Sequence, residues 1–181
     1  MACDSFMAET PGRSRLIAVD SNVLLDRANN DELVQDATET VRRRIRGAKF
    51  IVTPTVIEEI VLKAERGEKP LDRRLAKCVL ANLANTWGFE PMSFIPVGRG
   101  IVVEIARRLR SEGIIPDQEI NDSLIVAEAA LAGATLLLSS DAHVKDIEFA
   151  RLKFALDAAD VETPLIASPW KVVHEFFHLR D

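Results

Sequence analysis

The chain has 181 residues, of which 48% are hydrophobic, and its formal net charge is −5 at pH 7. This length and hydrophobic content allow one well-buried core and favour one domain over two. The negative net charge excludes nucleic-acid binding by overall positive charge, so such binding would need a local basic patch or metal ions.

The cellular location is predicted from what the sequence lacks. Cys3 and Cys78 match neither a zinc-site spacing nor a disulfide framework, which favours a reducing cytoplasm. The longest apolar stretch, residues 124–138, is interrupted by a glutamate and a glycine and is shorter than the ~20 residues of a membrane span. The N-terminus has no sustained apolar segment, which argues against a secretory signal. We therefore expect a cytoplasmic protein without a membrane segment.

The first strand is the start of the predicted domain. Residues 1–14 have no periodicity and are predicted as an N-terminal tail, followed by a single domain over residues 15–181. Residues 16–19 are a short apolar run that predicts a buried strand ending at Asp20. An aspartate in this place is as often a turn or N-cap residue as a site residue.

Two helices and a second strand follow. A short helical turn over residues 22–27 precedes a longer helix that begins after Asp31 and reaches about residue 46. The arginines in its last turns are more typical of a solvated basic face than of a phosphate contact. Residues 49–53 predict the second strand, and a helix over 54–66 carries Glu58 and Glu59 beside its apolar face.

The second half continues this alternation. Helices are predicted over residues 71–87, 101–112 and 124–132, and the last of them is preceded by Asp122 and ended by Gly133. A third strand is predicted over 135–139 and leads to Asp141. Towards the end we predict helical structure within 142–159, an edge strand at 165–166 and a helix over 169–178. Residues 94–97 are predicted as a linker or a minor strand. Strands that alternate with helices predict an α/β protein, a three-layer α/β/α sandwich with a mostly parallel central sheet.

Four acids can meet at one edge of this sheet. Asp20 and Asp141 follow strands, Asp122 precedes the third strand by one helix, and Glu58 or Glu59 follows the second strand. Carboxylates that lie close together repel one another and raise each other's pKa, and a hard divalent cation removes this repulsion. Oxygen ligands without clustered His or Cys favour Mg²⁺ or Mn²⁺, a composition suited to metal-assisted hydrolysis.

These motifs resemble the PIN domain family in their order and spacing. The matching segments are Asp20–Leu25, Pro54 with Glu59–Ile60, Asn121–Ala127 and Gly133–Asp141, within roughly residues 15 to 150. The resemblance implies a small α/β/α nuclease that binds Mg²⁺ or Mn²⁺ and cuts single-stranded RNA. It also implies a homodimer and, in the branch of VapC-type toxins, an antitoxin protein as partner.

The resemblance assigns roles to particular residues. Asp20, Glu59, Asp122 and Asp141 fall on the catalytic, metal-binding acid positions, and Glu58 is the second choice for the glutamate because the register is ambiguous by one residue. Supporting positions fall on Asn22, beside the first acid, and on Ser139, before the last. The family often has a further acid just after the last aspartate, where Asp146 is the nearest substitute in this chain.

Three classes of protein are alternatives to an active nuclease. A receiver-like domain needs two adjacent acids at the first strand and a lysine after the last strand, and neither is in place. A haloacid-dehalogenase-type phosphatase needs a second aspartate two residues after the first, where this chain has Asn22. A catalytically degenerate PIN-like domain that binds RNA or a protein stays open, because the further acid is missing. The lengthened middle, residues 67–100, could face a substrate or a partner.

Overall fold

The computed structural model describes residues 15–176, so the predicted tail and the end of the predicted last helix lie outside the described residues. The strands are β1 (Arg15–Val19), β2 (Ala48–Val52), β3 (Phe89–Pro91), β4 (Ala134–Leu138) and β5 (Leu165–Ala167). The helices are α1 (Ser21–Ala28), α2 (Glu32–Arg44), α3 (Pro54–Arg66), α4 (Pro70–Asn82), α5 (Pro96–Ser111), α6 (Ile120–Leu131), α7 (Ala142–Lys145), α8 (Phe149–Asp157) and α9 (Pro169–Lys171), which continues as a π-helical turn over Val172–Phe176.

All five strands form one parallel sheet in the order β3-β2-β1-β4-β5. Consecutive residues of β1 and β4 are buried, which requires cover on both faces of the sheet. The predicted α/β/α architecture with a parallel sheet is therefore confirmed. The chain turns to opposite sides of β1 to form β2 and β4, and such a switch point is where parallel sheets bind ligands.

The prediction for the middle of the chain was partly wrong. Residues 94–97 were expected to be extended, but α5 begins at Pro96, because a proline at the first helical position needs no backbone hydrogen bond. The strand of this region is β3 instead, where Phe89 is fully buried and stacks on Phe50 of β2 with ring centroids 4.9 Å apart. Helix α4 ends at Asn82 rather than near residue 87, and turns lead from there into β3.

The start of α6 also differs from the prediction. The helix begins at Ile120 rather than near residue 124, and Asp122, which was predicted to open the helix, lies in its first turn. Within residues 15–176, no helix is both long enough and apolar enough to cross a membrane.

Candidate active site

An open cleft of about 520 Å³ lies at the carboxyl edge of the sheet. Four predicted acids line it, each carried by a different part of the fold: Asp20, Glu59, Asp122 and Asp141. The backbone joins two of these parts, because the Asp20 N–H donates to the carbonyl oxygen of Leu138, the last residue of β4, at 2.9 Å. The cleft therefore coincides with the switch point between β1 and β4.

Asp20 is the most buried of these acids, with 2% of its surface exposed. Its Oδ1 accepts from the backbone N–H of Ser21 at 2.6 Å, and its Oδ2 accepts from the Ser139 hydroxyl at 2.6 Å. The pKa of Asp20 is raised to about 6, mainly by burial and in smaller part by Glu59 and Asp141, against the opposing effect of these two hydrogen bonds. A fixed, buried carboxylate of this kind is suited to a positively charged ligand.

Ser139 connects two of the acids. It is fully buried at the end of β4, and its hydroxyl donates to Asp20 while accepting the backbone N–H of Asp141 at 3.1 Å. Asp141 caps the short helix α7, and its Oδ1 accepts from the His143 N–H at 2.8 Å. The predicted supporting position at Ser139 therefore has a definite contact, which fixes the Asp20 carboxylate relative to the loop of Asp141.

The adjacent glutamates of α3 point to different surroundings. Glu59 is half-buried, lines the cleft, and its Oε1 accepts a hydrogen bond from Nδ2 of Asn121 at 2.7 Å. Glu58 is exposed and does not line the cleft. The geometry thus brings Glu59, and not Glu58, together with the other acids.

Among the acids of the cleft, Asp122 has the most strongly raised pKa. Its pKa is raised to about 7, mainly by burial and then by Asp141, Asp20, Glu119 and Glu59, in that order. The acids therefore influence one another electrostatically across the cleft. Without a counter-ion, they cannot all be ionised at neutral pH without a cost in stability.

The oxygen donors of the cleft fit a hard divalent cation, although the carboxylates do not converge on one position. Within residues 15–176, no three His, Cys, Asp or Glu side chains are grouped so as to hold a metal ion by themselves. Mg²⁺ keeps several of its waters and is commonly bound through only one or two carboxylates, so a closed cage of side chains is not needed. The fit rests on oxygen-only donors and on the mutual repulsion that a cation would relieve.

A family model described as the PIN domain matches residues 17–150. The chain belongs to the PIN domain family. The match covers β1 to the start of α8 and so includes every acid of the cleft. No curated protein matches the sequence significantly.

Solved structures show the same fold at low sequence identity. VapBC2 from Rickettsia felis, bound to a DNA fragment from its promoter, is similar with a TM-score of 0.59, 14% identity and coverage of 84% of this chain and 98% of that one. VapBC-1 from nontypeable Haemophilus influenzae gives a TM-score of 0.54, 13% identity and coverage of 86% and 99%. FitAcB from Neisseria gonorrhoeae gives a TM-score of 0.51, 15% identity and coverage of 85% and 98%.

The remaining predicted positions are divided between the cleft and the surface. Asn22 lines the cleft beside Asp20. Asp146 is exposed at the end of α7 and does not line it. The cleft of this PIN domain therefore contains the four predicted acids, and Asp146, the substitute for a further acid, lies outside it.

Several residues with contacts in this cleft were not found from sequence. Asn121 binds Glu59, and Glu119, one turn before Asp122 along the chain, raises the pKa of Asp122. Lys63 and Arg66 also line the cleft, on the continuation of α3 beyond Glu59. The signal for these two cations was their spacing from Glu59, since residues four and seven positions later lie on the same helix face.

One further buried acid lies outside the cleft. Glu128 of α6 is 5% exposed, and its carboxylate accepts from the Thr55 backbone N–H at 3.1 Å and from the Thr55 hydroxyl at 2.9 Å. Burial raises the pKa of Glu128, against the hydrogen bonds from Thr55, and Glu58 also raises it. This acid holds the first turn of α3 against α6, because helix N-terminal N–H groups favour a carboxylate.

Proposed function

We propose that this PIN domain is a metal-dependent endoribonuclease that hydrolyses phosphodiester bonds of single-stranded RNA, with Mg²⁺ or Mn²⁺ as its cofactor. One observation carries the proposal. Four acids from separate elements line one cleft, where burial and mutual repulsion raise the pKa of Asp122 to about 7. A cation in this cleft would relieve the repulsion between the carboxylates. Without a cation, the same carboxylates would repel a polyanion such as RNA.

Asp20, Glu59, Asp122 and Asp141 would hold the cation. When bound, a hard divalent ion supplies activation of water and neutralisation of charge on a phosphodiester. Neighbouring residues hold two of these carboxylates in position. The Ser139 hydroxyl and the Ser21 N–H fix the two oxygens of Asp20, and the Asn121 amide fixes one oxygen of Glu59. Such outer contacts orient ligands before the substrate arrives.

The wider biological proposal is that of a toxin. We propose a cytoplasmic toxin of a toxin–antitoxin pair, acting as a homodimer and inhibited by an antitoxin protein. Its support is the fold that the chain shares with the VapBC and FitAB structures, two of which are bound to DNA fragments. The search for an antitoxin partner begins with co-purification of the products of the flanking genes.

The test of the nuclease is cleavage of a labelled single-stranded RNA by purified protein, with Mn²⁺, with EDTA, and with the variant Asp20→Asn. We expect cleavage with Mn²⁺ only, and a loss of at least about 100-fold in the variant, because one charged ligand is removed while the side-chain shape is kept. Cleavage in EDTA, or equal cleavage by the variant, would contradict the proposal. RNA binding without cleavage by the unmodified chain would instead favour the degenerate, RNA-binding alternative.

A further inference from the structure

The cleft has a basic end as well as an acidic one. Lys63 and Arg66 follow Glu59 on α3 by about one and two helical turns, and all three residues line the same cleft. The four predicted acids lie towards the sheet edge, whereas the two cations lie towards the C-terminal end of α3, with Glu68 just beyond it. The charge in the cleft thus changes sign along one helix face.

These two cations have no acidic partner within the part of the chain that the structure describes. No ion pair or hydrogen bond of residues 15–176 engages the side chain of Lys63 or Arg66. Glu59 lies one turn before Lys63 on α3, but it accepts a hydrogen bond from Asn121 and forms no ion pair with Lys63. Glu68 also lines the cleft and likewise forms no ion pair with them. Two uncompensated cations beside a group of acids are suited to an anion that spans the cleft.

We propose that Lys63 and Arg66 bind successive backbone phosphates of the RNA strand on one side of the bond that is cut, so that α3 sets the path of the strand away from the acids. This inference rests on the proposed function, since it assigns the direction of that substrate. Phosphate contacts fix register and carry no sequence information. The residues lining the cleft include no aromatic side chain on which a base could stack. The cleft therefore reads the backbone of the strand and not its bases.

The experiment measures binding of fluorescent oligouridine and oligoadenosine of equal length over a range of salt concentrations. All proteins carry Asp20→Asn, so that the RNA stays intact. The test variant adds Lys63→Gln and Arg66→Gln. The control adds Arg74→Gln and Lys77→Gln, which remove the same charge from exposed positions three residues apart on α4, outside the cleft.

We expect the slope of log K against log salt to fall by about 1.4 in the test variant, since each contact to a single strand contributes about 0.7. At 0.1 M salt this corresponds to binding that is about 25-fold weaker, equally for both sequences. The control is expected to leave the slope unchanged. Circular dichroism and melting of each variant verify that the fold is kept.

Equal binding and slope in the test variant and its parent would overturn the inference, and so would a loss confined to one base sequence. Binding of polyglutamate that depends on the two cations, with RNA binding unaffected, would assign them to an acidic protein segment instead and would also overturn it. Failure of the nuclease proposal is distinguishable, because it concerns cleavage by the unmodified chain and not binding by these variants.

Discussion

Helix α6 carries two carboxylates, Asp122 and Glu128, within two turns of each other, and their surroundings differ in kind. Burial is the largest cause of the raised pKa in both. The next contributions have opposite signs: other acids raise the pKa of Asp122, whereas hydrogen bonds from Thr55 lower that of Glu128 and outweigh the effect of Glu58, which raises it. Burial alone therefore does not distinguish a candidate site from a structural contact; the neighbours of the buried group do.

The largest expected effect concerns Asp20, the most buried acid of the cleft, whose titration should make the stability of the fold depend on pH. The pKa of Asp20 in the folded protein is about 6, above the value of 3.8 expected for the unfolded chain. Between these values the folded state binds more protons, so the stability that Asp20 contributes is present below pH 4 and is lost as the pH rises through 6. The loss is about 3 kcal/mol for Asp20.

Denaturant unfolding in EDTA from pH 4 to pH 7, for the wild type and Asp20→Asn, measures this loss. We expect the wild type to lose stability relative to the variant over that range. Saturating Mn²⁺ at pH 7 is expected to restore about 2.7 kcal/mol at 100 times its Kd in the wild type alone. Parallel pH profiles of the two proteins would contradict the assignment of Asp20 as an uncompensated acid.

The second prediction concerns Glu128, on the structural side of the comparison. Replacement by Ala leaves the Thr55 N–H and hydroxyl without their acceptor inside the fold, so we expect a loss of about 2 kcal/mol in the free energy of unfolding. Glu128→Gln keeps an oxygen acceptor and is expected to lose less. Urea unfolding measures both, with exposed Glu65→Gln as the control.

RNA cleavage by these proteins, assayed well below their unfolding midpoints, provides the second readout. We expect activity close to that of the wild type in Glu128→Gln. A variant of Glu128 that loses cleavage while its stability is unchanged would place this acid with the site, and the distinction between the two carboxylates of α6 would fail.

Four of the five strands, and the positions of Asp20 and Asp141 at the strand ends, could be predicted because each depends on local pattern. An apolar run ending in an acid predicts both a buried strand and where that acid emerges, as at Asp20 and at Asp141. The start of α5 could not be predicted in the same way, since a proline fits an extended segment as well as a first helical turn. Only the pairing of β3 with β2 separates the two choices.

The residues that support the site depend on contacts between distant segments. Asn121 and Glu59 are far apart in sequence and meet only when α6 packs against α3. The same applies to Glu128 and Thr55, whose contact turns an interruption of an apolar stretch into a buried hydrogen-bonded acid. The choice between Glu58 and Glu59 likewise needs the rotation of α3 against its neighbours, because adjacent residues of a helix differ by about 100°.

The smallest expected effect belongs to Asn121, which joins the two sides of the comparison because it is a neutral donor within the acidic cleft. Its amide holds Glu59 Oε1 at 2.7 Å on an exposed rim, so Asn121→Ala is expected to change stability by less than about 0.5 kcal/mol. It is expected to lower cleavage about tenfold, as removal of an outer contact to a ligand does. Because the loss acts through the position of Glu59, raising the Mn²⁺ concentration should recover part of the activity. Cleavage measured against Mn²⁺ concentration in the wild type, Asn121→Ala and Glu58→Gln tests this, and a variant with lowered activity but the wild-type Mn²⁺ dependence would separate Asn121 from the metal ligands.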